Sequence, residues 1–205
     1  ALTYPGFKAL ALALHLELLA IPGTEHGPDL DALAKLCRSR SVRAIYTMPT
    51  LHNPLGWVME LEQRKQLVAI ARHHDLQIIE DAAYAFLVEN PPTPLAELAP
   101  ERTLYVSGFS KSVAAGLRVG FIVAPAAKVA ALERVIRVTA WNAPGVMTAI
   151  TSAWLDDGTV SRLEGQKRKD AQRRQLIADE VLDGLHRVRH PSSYFVWLPL
   201  SEDAR

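Results

Sequence analysis

The sequence predicts an α/β fold built on a mainly parallel sheet, and three observations carry that prediction. Short apolar runs suited to buried strands, among them "VRAIYTMP", "LQIIE" and "TLYVS", alternate with amphipathic helical stretches. The chain has 205 residues, 49% of them hydrophobic and 22% charged, enough for one sizeable core with an appendage. Polar residues able to do chemistry stand just past three successive strand-like runs, where open α/β sheets bind ligands.

From residue 8, "KALALALHLELLAIPG" is apolar at helical spacing. It then passes into a short apolar run stopped by Pro22 and Gly23, which predicts a helix followed by a strand. "PDLDALAKLCRSR" opens on the helix starters Pro28 and Asp29 and places Leu30, Leu33, Ala34 and Cys37 on one face. "VRAIYTMP" reads as a buried strand. "ELEQRKQLVAIARHHD" reads as a helix with Leu61, Leu67, Val68 and Ala71 at helical intervals, and "LQIIEDAAY" as a strand running into acidic residues. After the proline-rich "ENPPTPLAELAPER" come the strand "TLYVS", the segment "SGFSKSVAAGLRVG", the strand "VGFIVAP" and two helices, over 126–140 and 144–157.

The stretch "RLEGQKRKDAQRRQLIADEVLDGL" predicts a long, charged helix with a solvated face, leading to a strand-like "YFVWLPL". The expected division is a large domain over 1–157, then a linking helix and the start of a small α+β domain over 158–205. A start at Ala1 without methionine, and an abrupt stop after "SEDAR", suggest a chain truncated at both ends.

Lys and Arg number 23 and Asp and Glu 22, so the formal charge of +1 gives no general pull toward nucleic acid. The single cysteine, Cys37, excludes an internal disulfide and a Cys-rich zinc site, and its helical pattern predicts a buried thiol. No run approaches the roughly 18 apolar residues of a membrane span, and the first residues lack the order of a signal peptide, so the expected location is cytoplasmic. His73 and His74 close a helix and complement its dipole. His186 and His190 lack a neighbouring thiol or carboxylate pattern, so no metal site is expected.

The strand ends carry the chemistry. Asn53 follows "AIYTMP", Asp81 and Tyr84 follow "LQIIE", Ser110 and Lys111 follow "TLYVS", and Arg118 stands among small residues shortly after. A lysine held among apolar and small neighbours has its ammonium form disfavoured, and the neutral amine can attack a carbonyl. Pyridoxal 5′-phosphate (PLP) exploits such a lysine through its aldehyde, and its pyridine nitrogen needs a carboxylate so that the ring can accept electrons. Asp81 is the candidate carboxylate. The Asn53 amide and Tyr84 phenol can donate to the ring hydroxyl, and Arg118 with Ser110 can hold the phosphate. Singly these residues read as a surface lysine, turn or helix caps, an ion-pairing arginine and a core aromatic. Their joint order favours the cofactor. Trp141 and Asn142 read as core packing, with a cofactor-facing loop as the alternative.

On these residues the sequence resembles the fold type I PLP-dependent aminotransferases along nearly the whole chain. "HNPLG" is similar to the family's Asn-Pro-Thr-Gly turn, "DAAY" to its Asp-x-x-Tyr, and "SKSVAAGLRVG" to its cofactor lysine followed by the phosphate-binding arginine. The resemblance implies a PLP-dependent transferase large domain with Lys111 as the catalytic lysine and Asn53, Asp81, Tyr84, Ser110 and Arg118 in the roles above. "LTYPGF" resembles the segment whose aromatic residue stacks on the cofactor ring, which implies that role for Tyr4. Leu55 departs from the turn's usual threonine. Gly108 stands where the family often has a phosphate-binding Ser or Thr, with Ser107 one place earlier. The family's glycine-rich phosphate loop and substrate-carboxylate arginine have no counterpart in the 205 residues.

The wording of "ALTYPGFKAL", "PTLHNPLGWVM", "IIEDAAYAFL" and "VSGFSKSVAAGLRVGF" is most similar to the MocR branch of the GntR-type bacterial regulators. There, an aminotransferase-like domain with PLP follows a winged-helix DNA-binding domain. The resemblance implies an effector-sensing domain that takes an amine or amino acid, forms a homodimer, and reaches DNA only through a domain outside this chain. The alternatives are a free-standing aminotransferase working between an amino acid and a 2-oxo acid, and a PLP-free structural module.

Overall fold

A computed structural model describes residues 2–24 and 26–200. Helix α1 (Pro5–Ala13) starts three residues before the expected helix, because Pro5 at its first position has its ring-fixed φ set for helix and no N–H to satisfy. The strand expected after it does not form. Residues 16–22 have no ladder partner among the described residues, and Leu16 and Leu18 remain exposed. Only β1 (Gly23–Thr24) pairs, antiparallel, with β2 (Gly27–Pro28). Apolar spacing alone does not make a strand when no neighbouring backbone meets its N–H and C=O groups.

Helix α2 (Leu30–Ser39) begins where the Asp29 carboxylate accepts from the Ala32 N–H at 2.9 Å, a cap for an otherwise orphan donor. Its Cys37 is half-buried against the core rather than enclosed. Strand β3 (Ala44–Thr47) leads through a loop to α3 (Leu61–His73), whose start is closed by the Glu60 N–H donating to the Gln63 side chain at 3.1 Å. Strand β4 (Gln77–Asp81), a 3₁₀ turn (Ala85–Leu87), α4 (Leu95–Leu98) and β5 (Thr103–Gly108) follow. Helix α5 (Phe109–Ser112), a 3₁₀ turn (Ala115–Leu117) and β6 (Gly120–Val123) complete the sheet.

The four strands lie in the order β3-β4-β5-β6, the first three parallel and β6 antiparallel. Met59, Leu67, Val68, Ala71, Leu76, Ile78, Leu95 and Ala99 form the main core between the sheet, α3 and α4. Because β3, β4 and β5 are parallel, their carboxyl ends open onto one edge, and the segments with Asn53, Asp81 and Lys111 all start there.

Helix α6 (Ala126–Thr139) buries no residue, whereas α7 (Gly145–Asp156) brings Met147, Ile150 and Trp154 against Phe109, Val113, Leu117 and Val119. Helix α8 (Thr159–Val181) is the long charged helix, yet Val160, Ala171 and Gln175 on it are buried. The strand-like "YFVWLPL" forms only the isolated bridge Val188↔Trp197, with no further strand beside it among the described residues. No described helix is long and apolar enough to cross a membrane.

Candidate functional site

The loop carrying Asn53 is tied down from inside the protein. Arg64, fully buried on α3, donates to the Met59 carbonyl (2.9 Å), the Pro49 carbonyl (3.0 Å), the Thr50 hydroxyl (2.8 Å) and the Thr93 carbonyl (3.3 Å). Its guanidinium lies 3.9 Å from the equally buried Glu80, which accepts from the Ala96 N–H at 2.9 Å. Burial pushes the Arg64 pKa down and the Glu80 pKa up, and the attraction between the two charges opposes both. Within the loop, the His52 ring stacks on Trp57 at 4.3 Å, and its burial depresses the imidazole to about 4. Leu55 packs toward Gly23 of β1, so its departure from threonine serves packing between loop and hairpin.

Asp81 closes β4 with both carboxylate oxygens engaged. One accepts from the Ala83 N–H at 3.0 Å, the other from the Tyr46 phenol at 2.6 Å. Tyr46 stacks on Phe7 at 3.8 Å, and burial, reinforced by Asp81, pushes its phenol well above the usual tyrosine range. It therefore remains a donor to Asp81 at neutral pH. Sequence reasoning missed Tyr46. The available signal was its place on β3, in register with Ile79, two residues before Asp81 on the neighbouring strand.

Lys111 lies on α5 with buried Ser112 and Val113 beside it, but its own side chain is exposed. This corrects the expectation of a lysine held away from water: the helical turn buries its neighbours and aims Lys111 outward. The Lys111 ammonium stands 5.9 Å from the centre of the Tyr84 ring, within reach of a cation–π attraction. Arg118 has φ 52°, a left-handed conformation uncommon for a non-glycine residue, and is held between buried Leu117 and Val119. From there its guanidinium reaches the Ser110 hydroxyl at 3.4 Å and the Ala115 carbonyl at 3.5 Å.

Gly108 has a steric explanation. A Cβ there would lie 2.9 Å from the Val119 carbonyl oxygen and 3.0 Å from the Gly120 Cα, so the crossing of β5 and β6 excludes Ser or Thr. The Ser107 hydroxyl donates to the Ala82 carbonyl at 3.4 Å. Ser110 and Arg118, paired at 3.4 Å, border the same cavity and can both donate to an anion.

Tyr4, at the start of α1, folds its ring over Gly6 and stays half exposed. Tyr4, Asn53, Asp81, Tyr84, Ser110, Lys111 and Arg118 all border one cavity of about 340 Å³, at the low end of the ~300–1,000 Å³ of small-molecule sites. Trp141 is not among the lining residues; it is 74% exposed at φ 67°, so neither core packing nor a cofactor-facing place describes it, and Asn142 is exposed as well. No cluster of three or more metal-ligating side chains occurs among the described residues. The cavity sets an amine, a carboxylate, a guanidinium–hydroxyl pair, an amide and two phenols around one space. That set can hold an anionic aromatic carbonyl compound.

All of residues 1–205 match the family described as Aminotransferase class I and II. The chain is 30% identical to 2-aminoadipate transaminase of Thermus thermophilus over 96% of its own length and 53% of that protein. It is 25% identical to the HTH-type transcriptional regulator YdeF of Bacillus subtilis, over 97% of this chain and 43% of the regulator. Among solved structures, LysN, the alpha-aminoadipate aminotransferase of Thermus thermophilus complexed with N-(5′-phosphopyridoxyl)-L-leucine, superposes with a TM-score of 0.88 at 27% identity, over 98% of this chain and 54% of that one. The chain spans about half or less of the length of these relatives.

Proposed function

The chain belongs to the aminotransferase class I and II family, and from that premise we propose that it is a PLP-binding, effector-sensing domain of a MocR-type GntR regulator. The observation that carries the cofactor reading is the convergence of Lys111, Asp81 and the Arg118–Ser110 pair on one cavity. The donor set fits PLP group for group: an amine for the aldehyde, a carboxylate for the pyridine nitrogen, and a guanidinium with a hydroxyl for the phosphate. Likeness to the regulator YdeF along nearly the whole chain supports the sensing role.

When bound, PLP supplies an electron-accepting ring and an aldehyde that attaches amines reversibly. Lys111 would hold the cofactor at its aldehyde, the same group that an amine or amino acid ligand would seek. Asp81, fixed by Tyr46 and the Ala83 N–H, would supply the carboxylate for the pyridine nitrogen. Asn53 and Tyr84 would donate to the ring hydroxyl, and Tyr4 would cover a ring face. In this reading residues 1–157 form the cofactor domain and 158–205 link to a smaller one. The whole protein is a cytoplasmic homodimer, and ligand binding shifts the balance between arrangements that differ in DNA affinity.

The second reading, an enzyme moving an amino group between an amino acid and a 2-oxo acid, is favoured by the 30% identity to the transaminase. Lys111 would then also carry a proton as general base and acid.

The test uses the full-length protein. Loaded with PLP and reduced with borohydride, it should gain the mass of one cofactor at Lys111, and Lys111→Ala should gain none. A labelled Lys111→Ala protein would end the cofactor reading. An amino-acid panel then separates the two functions: a ligand that changes DNA affinity without turnover supports the sensor, and steady transfer to a 2-oxo acid with no DNA binding supports the enzyme.

A further inference from the structure

The turn that carries Lys111 is too short to hold itself. Helix α5 has four residues, and isolated helices of that length are not stable in water. The Lys111 and Val113 carbonyls at its end both accept from the ammonium of one distant residue, Lys167 on α8, at 2.9 Å each. An ammonium has three donors and no acceptor, so one side chain can close both carbonyls and also place a positive charge at the helix C-terminus.

Lys167 is not isolated on its helix. Burial pushes the Glu164 carboxyl up, and the buried Ser112 hydroxyl opposes that shift. Arg168 donates to the Phe86 carbonyl at 2.7 Å, in the turn that follows Tyr84. Further along α8, buried Gln175 donates to the Ser193 carbonyl at 2.9 Å and the Phe195 carbonyl at 3.2 Å, and the Phe195 ring stands edge-on to Tyr84 at 5.5 Å. One helix thus holds the Lys111 turn, the Tyr84 turn and the C-terminal segment.

We propose that Lys167 is a positioning residue for Lys111, fixing the α5 turn from α8 so that the Lys111 amine meets the cavity in one orientation. This deepens the cofactor reading, and depends on it only for the second of the two readouts below.

The experiment compares full-length wild type with Lys167→Met, Lys167→Arg and, as control, Lys169→Met, an exposed position on the same helix. The first readout, in cofactor-free protein, is amide hydrogen exchange of Val113 and Ala114, whose N–H groups both donate to the Phe109 carbonyl. Loss of two charge-assisted bonds should speed their exchange by about tenfold or more in Lys167→Met, leave the β4–β5 ladder unchanged, and be partly reversed in Lys167→Arg. The second readout is PLP affinity from the visible absorbance of the bound cofactor, expected to weaken about tenfold in Lys167→Met and not in Lys169→Met.

Wild-type exchange at Val113 and Ala114 in Lys167→Met, or acceleration spread evenly over the sheet, would overturn the proposal, as would unchanged PLP affinity. If Lys167→Met does not fold, Lys167→Gln takes its place, with intermediate exchange expected and wild-type exchange overturning the idea. A wild type that binds no PLP removes the cofactor reading, and the exchange comparison then decides the role of Lys167 alone.

Discussion

A buried imidazole without a carboxylate partner is a pH liability for the fold that contains it. His52 is 7% exposed, stacks on Trp57, and has its pKa depressed by burial from 6.5 to about 4. Between those values the unfolded chain binds a proton that the native state refuses. Stability is therefore full above about pH 6.5 and falls as pH drops toward 4, by on the order of 3 kcal/mol for this residue. Denaturant titrations at pH 7 and pH 5 should show the loss in the wild type and a shallower pH slope in His52→Gln; equal slopes would mean that His52 already titrates normally. At this scale the sequence was informative about residue types at strand ends and silent about what surrounds them. Asp81 could be picked out by its place after "LQIIE", but its partner Tyr46 sits on another strand, and only the register of β3 on β4 brings the two within 2.6 Å. The exposure of Lys111 was not legible for the same reason: it depends on how one helical turn rotates against α7 and α8.

Among the elements, those with their own signals appear where the sequence put them. Helix α2 starts at its Asp29 cap, α3 at its Gln63 box, and the parallel strands coincide with the aliphatic runs. Elements whose formation depends on a neighbour do not: among the described residues, 16–22 are strand-like in composition yet have no ladder partner, and the segment around Trp197 makes only one isolated bridge. Arg64 shows the converse. In sequence it is one more cation on an amphipathic helix, and in the fold it is the donor that closes the Asn53 loop. Arg64→Met keeps the stem but leaves Glu80, the Thr50 hydroxyl and the Met59, Pro49 and Thr93 carbonyls without their donor, which should cost about 3–5 kcal/mol. The unfolding midpoint measures this. Adding Glu80→Gln should recover part of the loss, and strict additivity of the two substitutions would show that they do not interact.

For the molecule as a whole, apolar surface is distributed unevenly. The core side of the sheet is closed by α3 and α4, whereas all four residues of β6 and every residue of α6 except half-buried Leu132 are exposed, with Val135 at 55% and Val138 at 81%. Exposed apolar patches of this kind promote association. The 205-residue chain by itself should self-associate in sedimentation velocity, and Val135→Lys with Val138→Glu should shift it toward monomer. An unchanged distribution in that variant would place the sticky surface elsewhere.

By itself the sequence determined the α/β class with a mainly parallel sheet and picked out Asn53, Asp81, Tyr84, Ser110, Lys111 and Arg118 among the residues that border the cavity, because periodicity, caps and strand-end chemistry are local properties of the chain; Tyr4 was added by the family resemblance. Tertiary structure alone decided that Tyr46 buttresses Asp81, that glycine is required at 108, that Arg64 closes a loop, and that Lys167 reaches back to the Lys111 turn. Each of those contacts joins residues whose separation along the chain says nothing of their distance in space, so only the packing of one element on another could reveal it.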